Sequence, residues 1–304
     1  MCGLFGAIAP SWNPNIVRTL AIANRERGTD ALGFFDSTGR MVKGASDPMK
    51  VVAQENVSTW LEDSVNGTEK NLPTWFVAGH TRLGTRGSNC RKNAHPFRYG
   101  KIIGSHNGMV DAPQDYNVDS MYLIDSLNEA NGDYNKAWGE ISGYWGMTWF
   151  DGEAFYIQTH NNTISMAEVN GVWYYSSEDE HLKAAIGHHE EIYSLSSGET
   201  WRFTFVDGEI VCEQIDDFVS TGAKYVKKGW NTSTYRNYRN NNYGSYTSDY
   251  DTTGEDYFFD GTSPRSSSSV TNNSVDDNVK DWESDWREAW SDYCTATEHG
   301  APSC

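Results

Sequence analysis

The aliphatic residues of this 304-residue chain are unevenly distributed, and that limits what can fold. Up to about Ser220, apolar runs of strand or helix length recur between turn residues. Beyond it, stretches such as YRNYRNNNYGSYTSDYDTTGEDY and SPRSSSSVTNNSVDDN hold too few aliphatic side chains to offset the entropy of ordering them. Residues 1–220 are therefore expected to form the globular domain, with 221–275 a low-complexity mobile tail, 276–294 an amphipathic Trp-rich helix and 295–304 a terminal tail.

Within the first 220 residues, CGLFGAIA reads as a short buried strand. NPNIVRTLAIANRER reads as a helix with Ile16, Val17, Leu20 and Ile22 on or near one face. ALGFFD is a second strand. TWFVAGHTRLG and KIIGSHNG read as buried strands running into polar loops at their carboxyl ends. VDSMYLIDSLNEANG carries Met121, Ile124 and Leu127 at helical spacing and stops at Gly132. From Gly143 short strands follow one another (GYWGMTWFD, EAFYIQTH, SMAEV, GVWYYSS, ETWRFTF, EIVCEQI), with one helix at EDEHLKAAIG. Strand-rich segments with interspersed helices imply layered packing on antiparallel sheets.

A formal net charge of −18 argues against a nucleic-acid groove or an anionic membrane surface, both of which need clustered Lys and Arg. The five cysteines, Cys2, Cys90, Cys212, Cys294 and Cys304, are odd in number and contain no C-x-x-C pair, the usage of a reducing compartment. The apolar start is too short for a signal peptide, and no run has the length of a membrane span. A cytoplasmic protein is expected.

Three clusters could carry chemistry. Cys2 follows the initiator Met1, so methionine removal would put a thiol and a free α-amine on one residue. That amine titrates near neutrality and could take the thiol proton; alternatively, Cys2 is a small buried hydrophobe. In GHTRLGTRG, Arg82 offers a bidentate guanidinium and Thr85 a hydroxyl, suited to a carboxylate or a phosphate, or to no more than a Gly-rich turn. In AHPFRYGKIIGSHNGMV, a strand ending at His106-Asn107-Gly108 could aim the Asn107 amide and the Gly108 N–H at one developing oxyanion. His95 and His106 could equally be structural, and no carboxylate or cysteine at ligand spacing makes them a metal site. No metal and no cofactor is expected.

Taken together and in order, these stretches resemble the class II glutamine amidotransferases, whose glutaminase domain is of the N-terminal-nucleophile hydrolase type. The similar elements are Cys2-Gly3-Leu4-Phe5-Gly6, Arg27-Gly28-Thr29-Asp30-Ala31-Leu32-Gly33, Gly79-His80-Thr81-Arg82 with Thr85 and Gly87, Ala94 to Phe97, His106-Asn107-Gly108, Asp119-Ser120, and the SSE of YYSSEDEHL. The chain departs from the sugar-phosphate members at Leu83 and Arg86, where an aromatic residue and a His are usual; both positions bear on lid contacts and on communication with an acceptor site.

The resemblance implies an α+β fold, a four-layer αββα sandwich with Cys2 at the end of the first strand, which the composition past Ser220 extends with a largely disordered tail. It implies Cys2 as nucleophile with its own α-amine as base, and Asn107 and Gly108 as the oxyanion hole. Arg82 would bind the α-carboxylate of glutamine and Asp119 its α-ammonium. Thr85 would help to place the substrate, with Arg27, Gly3 and His106 in support. A glutaminase of this kind releases ammonia for a separate synthetase or ligase and then glutamate, through a glutamyl thioester. The alternatives are an amidohydrolase of the same superfamily acting on another amide, and a degenerate non-catalytic assembly module. In the tail, Val279, Trp282, Trp286, Trp290 and Tyr293 recur at helical spacing. That face either completes the core of its own domain or docks the partner through Trp282, Trp286 and Trp290.

Overall fold

The computed structural model describes residues 1–68, 73–187 and 191–215. The expectations for 221–275, for the Trp282, Trp286 and Trp290 helix at 276–294, and for 295–304 lie outside the described residues. In chain order the elements are β1 (Gly3–Ile8), α1 (Pro14–Ala23), β2 (Ala31–Asp36), β3 (Met41–Gly44), α2 (Pro48–Val52), α3 (Glu55–Asn66) and β4 (Phe76–Arg82). There follow β5 (Phe97–Tyr99), β6 (Ile102–Val110), α4 (Asp119–Ala130), α5 (Tyr134–Glu140), β7 (Gly143–Phe150) and β8 (Ala154–His160). The last are β9 (Ser165–Val169), β10 (Val172–Ser176), α6 (Asp179–Ile186), β11 (Tyr193–Ser194), β12 (Thr200–Val206) and β13 (Glu209–Gln214).

The strands form two antiparallel sheets, ordered β11-β9-β10-β1-β4-β2-β3 and β13-β12-β8-β7-β6-β5. Every residue of β1 is buried, and alternation sends its side chains to two different cores. Phe5 and Ala7 pack with Val17, Leu20, Trp60 and Leu182 of α1, α3 and α6, whereas Leu4 and Ile8 join Phe76, Phe155, Ile157 and Tyr175 between the sheets. The outer face of the second sheet is covered by α4 and α5, where Leu123, Ile124, Leu127 and Trp138 meet Trp145, Met147 and Trp149. Three cores separate four layers, helices on the outside and sheets within, which is the expected α+β sandwich.

The helix ends follow from local chemistry. At α1 the Asn13 side chain accepts from Asn15 N at 2.9 Å and Pro14 occupies the first turn, where its missing N–H costs nothing. α4 opens with the acidic Asp119, favourable at the positive end of a helix, and ends where Asn131 takes a left-handed conformation at φ 48°. Sequence periodicity does not locate β3, β5, β11, α2, α3 or α5. A correction is needed at His106-Asn107-Gly108, expected to end a strand: β6 continues to Val110 because Met109 and Val110 still pair with Tyr144 and Gly143 of β7. Among the described residues no helix is long and apolar enough to cross a membrane.

Candidate active site

The β1–β4 register pairs Gly3 with Thr81, which brings Cys2 alongside Arg82 and Leu83 at the edge of the layer. There the Leu83 N–H donates to Cys2 Sγ at 3.4 Å, and the thiol donates to Leu83 O at 3.6 Å. Arg27 Nε donates to the Cys2 carbonyl at 2.7 Å, and its guanidinium forms an ion pair with Glu178. One residue on, Leu4 exchanges hydrogen bonds with Ser177, from its N–H to Ser177 Oγ at 2.9 Å and from Ser177 N–H to its carbonyl at 2.8 Å. Gly3 has no room for a side chain, since a Cβ there would lie 2.5 Å from Asn24 Oδ1.

Two electrostatic effects act at this end of β1. Burial pushes the Cys2 thiol up, opposed by the Leu83 hydrogen bond and by the positive charges of the amino terminus and Arg82, with Asp119 adding to the rise. Burial moves the chain's α-amine, carried here by Met1, down from its ordinary value; Arg27 adds to that and Cys2 opposes it. Both shifts favour a neutral thiol beside a neutral amine over a thiolate–ammonium pair.

Cys2 opens onto a small cleft beside the loop that follows β4. Arg82, Thr85, His106, Gly108 and Asp119 line it with Cys2. Arg82 is only 2% exposed, and its guanidinium donates to two backbone carbonyls, Arg86 O at 2.7 Å and Ser88 O at 3.4 Å. Asp119 accepts from the Val110 and Ser120 amides at 3.2 and 3.0 Å. Neither has an oppositely charged partner among the described residues. Arg86 lines the cleft too, its guanidinium donating to the carbonyls of Ala112, Pro113 and Tyr116, so the cleft holds two arginines and one carboxylate without an ion-pair partner among the described residues.

Alternation along β6 separates the three residues of its His-Asn-Gly stretch. His106 and Gly108 line the cleft, and His106 Nδ1 lies 2.9 Å from Ser120 Oγ on α4. Asn107 faces the space between the sheets; it is 2% exposed, and its Nδ2 donor has no partner. Gly108 sits at φ 156°, and a Cβ there would meet Tyr144 O at 2.1 Å. The cleft thus brings together Cys2, Arg82, Thr85, His106, Gly108 and Asp119, with Gly3 and Arg27 behind Cys2 and Asn107 adjacent on the sheet.

Histidines supply no charge here. The His80 and His95 rings lie 3.8 Å apart, and burial pushes His80 down to about 3 and His95 well below its ordinary value; His106 is lowered for the same reason. Among the described residues no group of three or more His, Cys, Asp or Glu is placed to hold a metal ion. Sequence reasoning gave no role to Glu178, Asp30 or Asn24. Glu178 anchors Arg27, and Asp30 Oδ2 accepts from Gly84 N at 2.6 Å, fixing the loop after β4. Both lie inside recognisable motifs, whereas Asn24, which donates to Leu20 O and Ser176 Oγ, has no local signal.

No protein-family model matches the chain. Over 111 residues it is 33% identical to glutamine–fructose-6-phosphate aminotransferase (isomerizing) of Haemophilus ducreyi, a match covering 36% of this chain and 17% of that protein. Its backbone is similar to that of glutamine phosphoribosylpyrophosphate amidotransferase from B. subtilis, with a TM-score of 0.52 at 16% identity. A structure described as the allosteric regulatory enzyme of purine biosynthesis gives 0.55 at 16% identity. The fold is that of a class II glutamine amidotransferase domain. Each structural match covers 70% of this chain and 49% of the other, so the chain spans about half the length of these structures and a smaller part of the curated relative. In this amidotransferase fold, Cys2 and Arg82 come from neighbouring strands of one sheet and Gly108 from the other.

Proposed function

We propose that this protein hydrolyses glutamine and supplies ammonia to a separate synthetase or ligase. The observation that carries the reading is that Arg82 and Asp119, neither of them in an ion pair among the described residues, line the same small cleft as Cys2. A free amino acid carries one anion and one cation on its Cα and would neutralise both. Arg82 binds the α-carboxylate, Asp119 the α-ammonium, and Thr85 helps to orient the side chain toward the thiol.

The reaction begins once Met1 has been removed and the α-amine belongs to Cys2. That amine takes the thiol proton as Sγ attacks the glutamine side-chain carbonyl carbon, forming the C–S bond. The charge that develops on the amide oxygen is met by Asn107 Nδ2–H and the Gly108 N–H. Collapse breaks the C–N bond, the protonated amine gives its proton to the departing nitrogen, and ammonia leaves a glutamyl thioester. Water then adds to the thioester and the C–S bond breaks, giving glutamate and the free thiol. Arg27 holds the Cys2 carbonyl throughout, so that the new terminus keeps its place.

The test is ammonia release with glutamine as sole substrate, together with the intact mass of the active protein. Turnover accompanied by a mass lacking one methionine supports the reading. Full activity in protein that retains Met1 overturns the mechanism.

A further inference from the structure

The turn between β8 and β9 touches no part of the cleft, yet it connects the strands on either side of it. Asn162 Nδ2 donates to the backbone carbonyl of Asn107 at 2.7 Å, and the same side chain is oriented by the Thr163 N–H, which donates to Asn162 Oδ1 at 2.8 Å. The turn is anchored from β8, where Thr159 Oγ1 donates to Asn162 O at 2.6 Å. On its far side Thr163 Oγ1 donates to Ser177 O at 2.9 Å, and Ser177 is the residue that exchanges hydrogen bonds with Leu4. A line of short bonds therefore runs from β6 through Asn162 and Thr163 to β1, two residues from the thiol.

We propose that Asn162 is a positioning residue for the oxyanion site, acting through its hydrogen bond to the Asn107–Gly108 peptide. The Asn107 carbonyl and the Gly108 N–H belong to one planar trans peptide and point in opposite directions. Holding the oxygen fixes where the N–H points, and Gly108 cannot do this for itself because it lacks a Cβ and sits in a region of backbone space open mainly to glycine. This inference rests on the reading of Asn107 and Gly108 as oxyanion donors.

Asn162→Ala and the near-isosteric Asn162→Asp both remove the donor. We expect kcat for glutamine hydrolysis to fall roughly 10-fold, less than the about 100-fold loss of a direct donor, while KM stays within about twofold and Tm within a few degrees. Asn162→Gln, which keeps an N–H one methylene further out, should recover part of the rate. A second measurement does not depend on turnover: in glycine-labelled protein, the Gly108 amide resonance should shift and exchange faster in Asn162→Ala. An unchanged Gly108 amide, a kcat within twofold of wild type, or a fall in Tm that accounts for the lost rate would overturn the proposal. Wild-type protein that releases no ammonia would instead strike the glutaminase reading, and the amide measurement would still decide this one.

Discussion

The first sheet delivers its part of the cleft from strand ends, Cys2 just before β1 and Arg82 as the last residue of β4, whereas the second delivers Asn107 and Gly108 from the interior of β6. Strand ends lack a ladder on one side, and here side chains replace it: Arg27 on the Cys2 carbonyl, Asp30 on the loop amide of Gly84, and carbonyls of residues 86 and 88 on Arg82. β6 keeps its pairing with β7 through these residues, while β5 reaches only Ile102 to Gly104 on the other side, and a glycine stands where φ is positive. On the proposed roles, the groups that bind or attack sit at strand ends and the oxyanion donors within a strand, where preorganised donors belong.

Mutations can break this division. The largest effect belongs to Cys2→Ala, which deletes the proposed nucleophile and should abolish ammonia release while leaving the fold intact by circular dichroism. Next, Asn107→Ala on the interior strand should lower kcat by about 100-fold or more with little change in KM. Arg82→Ala, at a strand end, should act the other way, raising KM for glutamine roughly 30-fold, about 2 kcal/mol, at nearly constant kcat. A kcat effect for Arg82→Ala as large as that for Asn107→Ala would dissolve the distinction between the sheets.

Smaller effects follow from burial. The imidazoles of His80, His95 and His106 are held below their ordinary value, so the unfolded chain binds more protons than the folded one once pH drops below about 6.5. Stability should be full above that pH and decline as pH falls toward 3, by at most about 1.4 kcal/mol per pH unit for each histidine that stays neutral. Melting curves from pH 7.5 to 5 would show the slope, and His80→Gln should flatten it. Smallest of all, Glu178→Gln leaves Arg27 its bond to the Cys2 carbonyl and should cost less than about 1 kcal/mol, read as a Tm shift.

Much of this was legible in the chain because apolar alternation and motif spacing are local. Leu4 and Ile8 against Phe5 and Ala7 in β1, or Ile124 and Leu127 in α4, declare their elements without neighbours. β5 and β11 do not, being three and two residues long and existing only because β6 and β9 pair with them. α3 buries Val57, Trp60, Leu61 and Ser64, but its β-branched and acidic residues dilute the pattern. In the site, the residues that line the cleft could be located through the ordered motifs that resemble the class II amidotransferases. The supports Asn24, Glu178 and Asn162 could not, since each acts across more than fifty positions of sequence through one hydrogen bond or ion pair.

The place of β1 in the middle of its sheet bears on how the protein is made. Phe5 pairs with Gly79 on one side and with Ser176 on the other, so during synthesis β1 can gain β4 early but waits for β10 before its second ladder can close. At ordinary elongation rates that delay is roughly ten seconds or more. For that interval β1 has at most one of its two neighbours, and Leu4, two residues from the thiol, lacks its bonds to Ser177. The strand beside Cys2 is thereby fixed on both sides only after the chain as far as Ser177 has been made.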